Sequence, residues 1–74
     1  MTEVCTACHR TAIAVESSLA AVRAKLDDYV DAPREQLLRT EASLHNRMRE
    51  LKVAVRARHR HLGEHVTAAH RAAR

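Results

Sequence analysis

Aromatic side chains are almost missing from this chain of 74 residues: Tyr29 stands alone, with no Phe and no Trp. Aromatics carry much of the buried area in compact cores, so a chain without them must bury aliphatics on long regular elements. Glycine and proline are as scarce, with Gly63 and Pro33 the single examples. That leaves too little turn chemistry for strand hairpins and points to an all-α fold. No run approaches the ~18 apolar residues of a membrane span, and Met1-Thr2-Glu3-Val4 shows neither a basic nor an apolar leader region. A cytoplasmic protein with no membrane partner is the expectation. In that compartment Cys5 and Cys8 are read as metal ligands or redox thiols rather than a disulfide.

Catalytic chemistry is equally thin. The sequence offers no Gly-rich phosphate cradle, no persuasive Ser/His/Asp set and no carboxylate pair, so no enzyme is expected. The Cys-x-x-Cys pair lacks the βαβ context of a thioredoxin-like exchanger. A chain this short sits near the size where one core barely outweighs the entropy of ordering, so a staple is expected.

What is present is helical periodicity. Cys5, Cys8, Ala12, Val15, Leu19, Val22, Leu26 and Tyr29 alternate steps of three and four, a heptad seam that includes both cysteines. The other face, with Ile13, Ser17, Ala20 and Ala24, is uncharged, which suggests burial against more than one neighbour. At Val30-Asp31-Ala32-Pro33-Arg34-Glu35 the pattern breaks: Asp31 suits an N-cap, Pro33 the first turn, and Glu35 the positive end of a helix dipole. A kinked continuous rod is the alternative to a turn here, but the first helix is too apolar to stand alone. The second seam runs through Leu37, Leu44, Met48, Leu51, Val55, Leu62 and Ala69, interrupted by Glu41, Arg58 and His65.

The expected architecture is one domain over residues 1–74, an antiparallel, coiled-coil-like helical hairpin. Helix 1 covers about residues 6–30, the turn 31–33, and helix 2 about 34–73 with a possible break at Gly63. With the turn near Ala32 and Pro33, cross-hairpin partners have numbers summing to 66 or 67. Leu19 then meets Met48, Val15 meets Leu51, and Ala12 meets Val55. Continuing outward, Cys8 faces Arg58 and His59, Cys5 faces His61 and Leu62, and His65 lies one turn further.

This register brings a Cys-x2-Cys pair against His61 and His65, four apart on one flank of a helix. Two thiolates and two neutral imidazoles make a closed tetrahedral Zn2+ site, and such a site would clamp the open end of the hairpin. His59 and His9 are the alternate ligands, though His59 lies on a different flank from His61. Two further readings stand beside zinc. Free cysteines on a seam pack as small hydrophobes or stay redox-active. Cys5-Thr6-Ala7-Cys8-His9 also matches the C-x-x-C-H pattern of haem c attachment, with His9 as axial ligand.

Charge is divided unevenly. Residues 1–33 carry three cations against five acids, −2, and residues 34–74 carry ten against four, +6, which together give the net +4. His45, Arg49, Lys52, Arg56 and Arg60 form a stripe on helix 2 that suits nucleic acid or an acidic partner. Neither a recognition helix nor an aromatic stacking platform accompanies it.

Because helix 1 is apolar on two faces, a homodimer forming a four-helix bundle is expected. The layout resembles the ROP-type dimer of helical hairpins in architecture only; no stretch matches that family's sequence, and its RNA binding is not carried over. The expected function is a zinc-binding helical module that binds a protein partner in a regulatory or adaptor role. A basic nucleic-acid-associated module and a haem protein are the alternatives.

Overall fold

A computed structural model describes the backbone of residues 5–72 and the side chains of residues 5–65. Helix α1 spans Thr6–Val30, a short 3-10 turn follows at Arg34–Gln36, and helix α2 spans Leu37–Ala72. No strand occurs among the described residues. The helices pack against each other along their length as an antiparallel hairpin. At ~1.5 Å per residue α1 is about 38 Å long and α2 about 54 Å, so α2 overshoots its partner beyond the cysteines. The molecule is correspondingly thin, 61 × 20 × 13 Å.

The turn is built differently from the expected one. Asp31 closes α1 rather than capping the next helix: its N–H donates to Asp27 O at 3.1 Å and the Ala32 N–H to Tyr29 O at 3.3 Å. Pro33 lies just outside the 3-10 turn in an extended conformation (φ −61°, ψ 151°), with no side-chain cap, and its carbonyl accepts the Gln36 N–H at 2.9 Å. The physical reason is directional. Proline's carbonyl can start the next turn, and the three-residue 3-10 segment re-aims the chain before α2 begins. No break occurs at Gly63, where α2 is continuous.

The seam also departs from strict heptads. Half-buried positions on α1 are Cys8, Thr11, Ala12, Val15, Ser18, Ala21, Val22, Lys25 and Tyr29. On α2, among the residues with described side chains, they are Thr40, Glu41, Ser43, Leu51, Ala54, Val55, Arg58 and His61, with Leu44 buried at 9% exposure. Straight helices at 3.6 residues per turn drift off a 3.5-residue repeat, and the contact has rolled onto Ser18, Lys25, Ser43 and Ala54. Expected seam residues are left leaning outward: Leu19 is 39% exposed, Leu26 47% and Met48 42%. Ile13, Ser17, Ala20 and Ala24 are exposed as well, so the second face of α1 has no neighbour within one chain. Ala69 lies outside the residues whose side chains are described.

Small residues at the contact let the backbones approach, but they bury little. Among the described residues Leu44 alone forms the buried hydrophobic core. A hairpin with so little core needs something beyond packing to hold its ends.

Candidate metal centre

The open end gathers side chains able to bind a metal ion. Cys5 is the N-cap of α1 (φ −73°, ψ 110°), a position usually taken by Ser, Thr, Asp or Asn because an acceptor there meets an orphan N–H. Its sulfur plays the same part and accepts the Cys8 N–H at 3.4 Å. Cys8, one turn on, stands beside it. From α2, His61 enters between them: its Nε2 lies 3.4 Å from Cys5 Sγ and 3.2 Å from Cys8 Sγ. These contacts join residues 56 and 53 positions apart.

His65 completes the group. Its ring lies one helical turn beyond His61, with centroids 5.9 Å apart and planes tilted by 43°. One ligand atom from each of Cys5, Cys8, His61 and His65 falls within 4.8 Å of the others. A zinc ion with bonds of about 2.3 Å to sulfur and about 2.0 Å to nitrogen has tetrahedral edges of roughly 3.3–3.8 Å. The two thiol–imidazole contacts already lie near that range, and small side-chain rotations bring in the rest. Cys5, Cys8 and His61 are half-buried and His65 is exposed. This Cys2His2-type group can hold a metal ion.

The electrostatics of the thiols favour the same chemistry. The Cys8 N–H, the Cys8 thiol and His61 stabilise the Cys5 thiolate in that order, and lower its pKa from 9.0 to about 7. The Cys8 thiol is raised, chiefly because it donates to the Cys5 sulfur, with partial burial and the Cys5 charge adding to this; the Arg58 guanidinium pulls the other way. The pair therefore carries one thiolate readily and resists the second. A cation between the sulfurs relieves that resistance.

The alternates fall elsewhere. His59 and His9 are both exposed and neither belongs to the group. On a regular helix His59 is rotated away from His61, while His9 follows Cys8 on the outer side of α1. The haem reading needs His9 as its axial residue, whereas the histidine at the thiols is His61. The hairpin has a cavity of about 460 Å3, but it lies at the turn, lined by Lys25, Asp28, Asp31, Gln36 and Arg39 among others. The Cys5 cap escaped the sequence, since no cap preference signals it, while the influence of Arg58 on Cys8 falls where the register placed that residue.

His45, Arg49, Lys52, Arg56 and Arg60 are all exposed. The two ion pairs among the described residues, Arg47–Glu50 at 3.0 Å and Lys25–Asp28 at 3.9 Å, use none of them. No helix among the described residues is long and apolar enough to cross a membrane.

Compared with models of protein families, with curated proteins and with solved structures, the chain matches none.

Proposed function

We propose that this chain is a small zinc-binding helical module, its metal held by Cys5, Cys8, His61 and His65, whose work is to present a rigid helical surface to a protein partner. The observation that carries the reading is the convergence of four ligand atoms within 4.8 Å from the two ends of the chain. Two thiolates with two imidazoles suit zinc, and four protein ligands leave no open position for a substrate, so the ion's role is structural rather than catalytic. A reducing compartment such as the cytoplasm keeps both thiols available. Cobalt substitution tests the proposal. One Co2+ per chain with intense tetrahedral d–d bands and thiolate charge transfer is the expected spectrum; the weak spectrum of octahedral cobalt would contradict it.

A second reading is favoured by the exposed, unpaired stripe of Arg49, Lys52, Arg56 and Arg60, which could follow a phosphate backbone. On this reading Arg56→Glu with Arg60→Glu abolishes a salt-sensitive affinity for DNA or RNA, and on the first it changes nothing measurable there.

A further inference from the structure

The outward lean of the large aliphatics has a direction. Leu19, Leu26 and Val30 follow steps of seven and four, and so share one flank of α1; Leu37 and Met48, eleven apart, share one flank of α2. In an antiparallel pair, a roll of both helices onto Ser18, Lys25, Ser43 and Ala54 turns these two flanks to the same side of the hairpin. The register set by Cys5 against His61 carries Leu19 across from Met48 and Val30 across from Leu37. Exposures along this side are 39% at Leu19, 47% at Leu26, 74% at Val30, 37% at Leu37 and 42% at Met48. The result is an aliphatic face half-finished as a core, interrupted by Arg23 on α1 and Glu41 on α2.

We infer that a second copy of this chain covers that face, so that the partner of the module proposed above is first of all itself, in a four-helix bundle. Three observations support self-association. A compact monomer of 8.3 kDa exposes about 4,600 Å2 by the general scaling of surface with mass. This chain exposes 6381 Å2, roughly 1,800 Å2 more, whereas a standard interface needs only ~800 Å2 from each partner. Four of these residues, Leu19, Leu26, Leu37 and Met48, are heptad positions, and such positions want the holes of a facing helix rather than water. The rims are complementary on balance: Glu16 and Asp27 outnumber Arg23 on α1, and Lys52 and Arg56 outnumber Glu41 on α2, so a copy that sets α1 over α2 brings a net acidic rim to a net basic one.

Sedimentation equilibrium at high micromolar concentration, of protein incubated with zinc and freed of the excess, tests this. The expected mass is that of two chains. Leu26→Glu or Met48→Glu lowers it to one chain, and Val53→Glu, on the opposite side at 67% exposure, leaves it at two. Zinc stoichiometry, measured on the same samples, separates the two proposals. A dimer without bound zinc would overturn the metal assignment alone. A one-chain mass for the unchanged protein would overturn the dimer alone, and leave the face to a different protein. A dimer that survives both glutamate variants, or one that Val53→Glu also breaks, would overturn the assigned face. If a glutamate variant loses its helices, the mass of the unchanged protein still decides the dimer.

Discussion

The two ends of the hairpin solve the same problem with opposite means. At the turn, α1 and α2 are held together by the chain itself: Asp31 closes one helix, the Pro33 carbonyl starts the next, and few residues need to be ordered. At the open end the helices meet more than fifty residues apart along the chain, where closure costs more conformational entropy and only side chains can offset it. Hydrophobic burial does not do so, since among the described residues the buried core is Leu44, nearer the turn. The chemistry-bearing residues therefore gather where the backbone gives no help. A local turn tolerates polar, exposed residues, and the distant junction brings together groups that a single ion could tie.

Experiments that act on one end and not the other sharpen this contrast. The largest effect is expected from His61→Ala, which removes the imidazole shared by both sulfurs. Outer-shell partners of metal ligands are already worth ~10–100-fold in affinity, so loss of this ligand should weaken zinc by more than about 100-fold. Competition with a chromophoric chelator would read that loss, with His59→Ala and His9→Ala as controls that bind zinc as before. An equal loss in His59→Ala would mean the register is wrong.

Next in size is Leu44→Ala, placed between the two ends. Removal of the one leucine buried among the described residues should cost ~2–3 kcal/mol, read from urea unfolding of the zinc-loaded protein, while zinc stoichiometry stays the same. A cost below about 0.5 kcal/mol would show that the middle of the hairpin contributes as little as an ordinary surface position.

The pH response belongs to the open end alone. Cys5 has its folded pKa lowered from 9.0 to about 7. The metal-free hairpin therefore gains stability from this group above pH 9 and loses it as pH falls through 7. Ultraviolet thiolate absorbance should rise in two steps, the first near pH 7 and the second above the ordinary thiol range. His61→Ala should move the first step upward. A single step at the ordinary thiol value in the unchanged protein would remove the case for an activated Cys5.

The smallest effect concerns the overshooting part of α2. A methyl group on Gly63 meets nothing within 4 Å, and alanine is the better helix former by about 1 kcal/mol, so Gly63→Ala should raise stability by up to that amount. Unchanged or lower thermal stability would show that this stretch is not helical in solution.

Much of the hairpin was legible because long-range register follows from one landmark. Once Pro33 marks the turn, counting outward sets Cys5 and Cys8 against His61 and the neighbourhood of His65, and the structure brings these four together. That His61 and His65 share a flank, whereas His59 does not, was readable from helical spacing, while His59 and His9 stayed open as ligands. The roll of the contact was not readable. Leu19 and Leu26 are the obvious seam residues by hydrophobicity, yet close approach along Ser18, Ala21, Ser43 and Ala54 wins within one chain. Periodicity identifies a face but not how far a thin pair of helices rotates about it. The role of Asp31 was misassigned because an acidic residue before a proline satisfies the sequence signature of an N-cap, while the backbone uses its N–H to finish the preceding helix.

The central claim is that an ion closes the open end. Its most direct test is metal analysis of the native protein beside far-ultraviolet circular dichroism before and after a strong chelator. One zinc per chain, with helicity lost on chelation and restored by added zinc, is the predicted result. No bound metal, zinc that fails to bind when added, and helicity indifferent to the chelator would contradict it.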